Sequence, residues 1–131
     1  MKYLLDTCTL ISMTRRSPEV RNKILNVGFE NCSISEISLA ELISGAHKGG
    51  YEQHRHEIEF IKKSFKVIPI TGVLDEYGSL RARLEKQGTP VENFDLMIAA
   101  TAIVSKMVLV THNTRHFDKI PGLEIRDWER E

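Results

Sequence analysis

"NFDLMIAATAIVSKMVLVTHN", residues 93–113, decides the fold. Its first part, "NFDLMIAATAIVSK", is apolar nearly all round, which is the pattern of a helix buried on every side rather than an amphipathic surface helix. "MVLVT" then forms a short apolar run of the kind that makes a strand covered on both faces. A buried helix feeding a buried strand points to an α/β protein. One residue is out of keeping: Asp95 places a carboxylate at the head of the most hydrophobic helix.

Working outward, the same alternation recurs along the chain. "KYLLD" (residues 2–6) reads as a first buried strand, and "TLISMTR" as a short helix that "RRSP" ends. Ser17 caps a second helix with Pro18 at its first position, Val20, Ile24 and Leu25 on one face, and Gly28 near its end. "NCSIS" is a second strand and "EISLAELISGAHKGG" a helix that stops at Gly49 and Gly50. "YEQHRHEIEFIKKSF" sets Ile58, Ile61 and Phe65 on one helical stripe, and "KVIPI" is a third strand. "GVLDEYGSLRARLEKQG" is a helix with acids in its first turn and bases toward its end, as the helix dipole favours. "MVLVT" is the fourth strand and "LEIRDW" a fifth. Strands alternating with helices predict a parallel sheet of four to five strands with helices on both faces.

The chain has 131 residues, the size of one domain spanning 1–131, and no linker or internal repeat divides it. Eighteen Lys and Arg balance eighteen Asp and Glu, which argues against a histone-like or tail-type nucleic-acid binder. Cys8 and Cys32 lack the number and spacing of a disulfide framework or a structural zinc site, so a reducing, cytoplasmic setting is expected. Asp6 interrupts any signal-peptide core at the N-terminus, and no run approaches the ~18 apolar residues of a membrane span.

In a parallel sheet, the strand C-termini and the N-termini of the following helices lie along one edge, where ligands bind. Asp6 ends the first strand, Asp95 opens the buried helix, and Thr111 to Asn113 follow the fourth strand. Glu41, early in the helix after the second strand, can join them. At ~5 Å and an effective dielectric of ~20, each pair of carboxylates repels by roughly 3 kcal/mol, so the cluster calls for protons or a cation. An all-oxygen donor set suits Mg²⁺ or Mn²⁺. Each residue also has a plain structural use: Asp95 as a helix N-cap, Glu41 in a capping box with Ser38, Asn113 as a turn residue. Asp6 has few, since Thr7 rather than a turn follows it.

Four blocks, "YLLDTCTLI", "ISLAELISGA", "GTPVENFDLMIAATA" and "LVTHNTRHFDKIPGLEIRDW", resemble in order the PIN-domain ribonucleases of the VapC toxin type. The resemblance implies an Mg²⁺-dependent endoribonuclease (Mn²⁺ as the alternative ion), the toxic half of a toxin–antitoxin pair. A VapB-type antitoxin would hold it inactive, and homodimers are common in the family. The family's three acids fall on Asp6, Glu41 and Asp95, and its small hydroxyl residue on Thr7. Two positions depart from the pattern: Cys8 stands where the family usually has Asn, and Asn113 where many members have a fourth acid. Thr111 can add its hydroxyl.

RNA backbone would need cations near the acids, and Arg15, Arg16, Lys48, Arg81, Arg83, Lys86 and Arg115 are the candidates. A phosphoaspartyl phosphatase also starts from a strand-ending Asp but needs a second Asp at the place of Cys8. A cysteine phosphatase loop fails because Thr14 stands where its Arg belongs. Zinc at His54 and His56, or at His112 and His116, lacks adjacent soft ligands. A non-catalytic PIN-like binding module is the remaining alternative, and the presence of all three acids favours the enzyme. An antitoxin helix is expected in an apolar groove formed by "PEVRNKIL" and "HEIEFIKKSF", in which Ile58 and Ile61 are either groove or core.

Overall fold

A computed structural model describes residues 1–15 and 17–131; Arg16, one of the candidate cations, lies outside the described residues. Five strands, β1 (Tyr3–Leu5), β2 (Cys32–Ser35), β3 (Lys66–Ile68), β4 (Val108–Val110) and β5 (Ile125–Arg126), form one sheet in the order β3-β2-β1-β4-β5. Every neighbouring pair is parallel. Seven α-helices connect them among the described residues: α1 (Thr7–Thr14), α2 (Pro18–Val27), α3 (Glu36–Lys48), α4 (Tyr51–Ser64), α5 (Leu74–Lys86), α6 (Asn93–Val104) and α7 (Thr114–Phe117).

Alternating side chains distribute the core over both faces of this sheet. Leu4 and Leu109 pack with Leu80, Leu84, Leu96, Ile98 and Phe117 on the α5–α6 side. Leu5 and Val110, their chain neighbours, pack with Leu10, Val20, Ile24, Ile61 and Phe65 on the α1–α2–α4 side. Successive strand residues point to opposite faces, so two adjacent leucines in "YLLD" can serve two different cores only if helices cover both. At roughly 1.5–3 kcal/mol for each large apolar side chain fully buried, the sheet is anchored from either side.

Helix α6 is the buried one: Leu96, Ile98, Ala99, Ala100, Thr101 and Ala102 are all inaccessible. The Thr101 hydroxyl is satisfied within the helix, donating to the Met97 carbonyl at 2.8 Å. Its start differs from the sequence reading. Glu92, not Asp95, is the N-cap, and its carboxylate accepts from the Asp95 N–H at 3.1 Å. Asp95 therefore sits inside the first turn, with its side chain released from capping.

Three further expectations are revised. Ser35 caps α3 and the Ser38 hydroxyl makes no hydrogen bond, so no capping box links Ser38 to Glu41. Ile58 and Ile61 belong to the core, while Leu25, expected on the buried face of α2, is 67% exposed. Asp6 does have a structural use: β1 passes into α1 without a loop, and Asp6 is the N-cap of that helix. Among the described residues no helix is long and apolar enough to cross a membrane.

Candidate active site

The strand order places the site. From β1 the chain moves outward to β2 and β3 on one side, then crosses back to β4 and β5 on the other. The carboxyl ends of β1 and β4 thus flank the point where the winding reverses, which is where open α/β sheets form a crevice. Asp6 follows β1 there and Thr111 follows β4, joined across the gap by the Asp6 N–H donating to the Val110 carbonyl at 2.9 Å.

Asp6 is only 3% exposed, yet every donor around it is accounted for. Its Oδ1 accepts the Thr7 N–H at 2.8 Å, and its Oδ2 accepts the Thr111 hydroxyl at 2.8 Å. Cys8 adds a weaker contact, Sγ to Oδ2 at 3.6 Å, and accepts the His112 N–H at 3.4 Å. Burial is the main cause that pushes the Asp6 carboxyl above its ordinary range, opposed by Thr111 and Thr7 and reinforced by the charge of Asp95. Burial and the Asp6 charge raise Cys8 as well, so Cys8 stays a thiol and can donate.

Glu41 projects from the second turn of α3 and receives the Thr7 hydroxyl on Oε1 at 2.7 Å. Asp95 receives His116 Nδ1 on Oδ2 at 2.9 Å. Its carboxyl is also raised, first by burial, with His116 opposing and the charges of Glu92 and Glu41 adding. The charge of Asp95 thus acts on Asp6, and that of Glu41 on Asp95, while Thr7 holds both Asp6 and Glu41 and His116 holds Asp95. The ligand atoms of the three acids do not converge to the 4.8 Å spacing that His112, Asp127 and Glu129 reach.

The donor set fits a hard divalent cation. It is all oxygen, and Glu41 Oε2 and Asp95 Oδ1 keep no protein donor among the described residues. Burial raises the Asp6 and Asp95 carboxyls first, and neighbouring carboxylates add to that in each. His112, Asp127 and Glu129 form a separate group in which His112 Nδ1 pairs with Asp127 Oδ2 at 3.2 Å and Glu129 Oε2 at 3.4 Å. His112 and His116 thus serve different acids, not one zinc ion. Asn113 begins α7; its N–H donates to Thr111 Oγ1 at 3.0 Å and its side chain is exposed.

Among the candidate cations, Arg15 shares a cleft with Glu41, and Arg115 shares another with Asp95. Arg81 is engaged by Glu85 and the Tyr77 hydroxyl, and Arg83 is exposed on the same helix. Lys48 and Lys86 are exposed at the ends of α3 and α5. The sequence leaves Glu92 unassigned and suggests His116 only for zinc. Glu92 stands three residues before Asp95, as an N-cap does before N3; no local pattern could assign His116 to Asp95.

Fold and site together define an α/β protein with an acidic edge at its topological switch point. The chain belongs to the PIN-domain family, whose model matches residues 3–123. It is 37% identical over 130 residues to the tRNA(fMet)-specific endonuclease VapC of Salmonella typhimurium, covering 98% of both chains. It is 34% identical over 134 residues to ribonuclease VapC1 of Haemophilus influenzae, covering 99% of this chain and all of that one. The crystal structure of DNA-bound VapBC from Salmonella typhimurium superposes with a TM-score of 0.89 at 35% identity, over 98% of each chain.

Proposed function

We propose that the protein is a cytoplasmic, divalent-cation-dependent endoribonuclease, the toxin of a toxin–antitoxin pair, with Mg²⁺ or Mn²⁺ held by Asp6, Glu41 and Asp95. The observation that supports this reading is the set of bonds that orients the three acids: Thr7 donates to both Asp6 and Glu41, and His116 pairs with Asp95. A divalent cation bound there would lower the pKa of a coordinated water and offset charge on the scissile phosphate. The rest falls to the chain. Thr7 fixes Asp6 through its N–H and Glu41 through its hydroxyl, so one residue sets two ligands at once. Thr111 and Cys8 hold the other oxygen of Asp6. Asn113, at the rim, offers an uncharged amide to a water or a phosphate oxygen.

The partner reading rests on the relatives and on a groove. Two related structures, from Salmonella typhimurium and Haemophilus influenzae, are VapBC complexes. Between α2 and α4 lies an apolar cleft of 450 Å³ lined by Met13, Ile24, Leu25, Phe29 and Phe60. Leu25 and Phe60 are exposed along it, a pairing that suits the apolar face of an antitoxin helix. The homodimer is part of the same reading, and Leu74 and Phe94 leave apolar surface exposed on the α5–α6 side for it.

The test is RNA cleavage by protein freed from its partner, with Mg²⁺ or Mn²⁺ and with excess EDTA. Cleavage that needs the ion is expected; full activity in EDTA contradicts the proposal. Ca²⁺ should bind yet catalyse poorly, because its looser coordination positions water and phosphate less well.

A further inference from the structure

Beside the acidic edge, two walls enclose a cleft of 590 Å³. One wall is the turn from Gly88 to Glu92 that leads into α6; the other carries Arg115, His116 and Lys119 from α7 and the turn after it. Asp95 lines the cleft too, so the cleft reaches one acid of the trio. Arg115 and Lys119, four residues apart on the same wall, are exposed and enter none of the ion pairs formed among the described residues. Arg81, by contrast, is paired with Glu85 on its own helix. Two uncommitted cations facing a wall that carries Glu92, Pro90 and Val91 are placed for an anion that reaches Asp95 from this side.

We propose that this cleft is the subsite for the RNA strand on one side of the scissile bond, with Arg115 and Lys119 each holding a backbone phosphate. The proposal rests on the nuclease reading and deepens it. The 2.9 Å bond from His116 to Asp95 ties the cationic wall to a ligand of the trio, so phosphates gripped on α7 are registered against the reacting phosphate. The opposite wall presents Pro90 and Val91, apolar surface against which a sugar or base can rest. Contacts of this kind position the strand and carry no sequence information, so the subsite binds single-stranded RNA without preference for base.

The experiment compares wild type, the Arg115→Ala/Lys119→Ala double variant, and a charge-matched control, Lys62→Ala/Lys63→Ala, at the distant end of α4. All four residues are exposed, so folding is expected to survive, and thermal melts verify it. The readouts are kcat and KM on a single-stranded oligoribonucleotide, and binding of that oligonucleotide in EDTA by fluorescence anisotropy across a salt series. The double variant should raise KM more than it lowers kcat, and flatten the slope of log affinity against log salt by about 1.4, the loss of two single-strand phosphate contacts. The control should alter neither. A double variant with wild-type KM and slope, or a control that loses as much, overturns the subsite. A wild-type protein that binds but does not cut with Mg²⁺ or Mn²⁺ contradicts the nuclease reading instead, and the anisotropy slopes still decide the subsite.

Discussion

Thr7 and Glu41, brought together from β1–α1 and α3, share a 2.7 Å hydrogen bond in which the threonine hydroxyl donates to Glu41 Oε1. Thr7 also donates its backbone N–H to Asp6. Replacing Thr7 by Val keeps the second bond and removes the first. Cleavage should fall by about tenfold, the effect of roughly 1.4 kcal/mol in orienting a charged ligand, and Thr7→Ser should restore most of it. Steady-state kinetics on the three proteins checks this; a Val variant at wild-type rate would release Glu41 from that dependence.

Thr111 supplies the strongest donor to Asp6 Oδ2, leaving Cys8 as a weaker second. Thr111→Val should cost about 1–3 kcal/mol of stability by stripping a hydroxyl donor from a buried carboxylate. Denaturant unfolding at neutral pH in EDTA measures it, and an unchanged midpoint would mean that Cys8 alone suffices.

Asp95 offers a dependence on pH. Its folded-state carboxyl is raised above the ordinary 3.8, so the folded protein holds this proton more tightly than the unfolded chain. Stability contributed by the protonated form is present below about 3.8 and is lost as pH rises through the folded value. In EDTA, Asp95→Asn should therefore gain on wild type as pH climbs from 4 to 7. Unfolding curves across that range check it; a gain at low pH that vanishes at neutrality has the wrong sign.

The α2–α4 groove makes a separate prediction. Leu25→Asp or Phe60→Asp puts a charge on exposed apolar surface and should weaken antitoxin binding by about 2 kcal/mol or more, roughly 30-fold. Calorimetry with the cognate antitoxin reads the loss, and RNA cleavage should persist. Tight binding by both variants would move the partner elsewhere.

Much of the fold was legible because its signals are local. "YLLD" and "MVLVT" announce buried strands, Ser17-Pro18 announces a helix start, and all five strand candidates lie in the sheet. What escaped depends on choices between near-equal local options. Asp95 looks like a helix cap in the sequence, yet α6 starts at Asn93 with Glu92 as its cap. Leu25 fits a buried stripe by spacing, yet its side chain faces the groove. The acid trio could be named from strand ends and from resemblance, whereas the His116–Asp95 bond joins two surface-bordering segments that no sequence period connects. Which cations are left unpaired is likewise a matter of tertiary placement: Arg81 and Arg115 look alike in sequence, and among the described residues only Arg81 is paired.

The most direct test of the account is Asp95→Asn, assayed for RNA cleavage and for the rise in melting temperature that Mg²⁺ produces. Because Glu92 caps α6, the change leaves the helix start intact while removing one negative charge from the trio. Cleavage should collapse, the cation-free protein should be at least as stable as wild type, and most of the Mg²⁺-induced rise should vanish. An Asp95→Asn protein that cuts RNA at the wild-type rate and keeps that rise would contradict the assignment of Asp95 as a cation ligand, and with it the proposed mechanism.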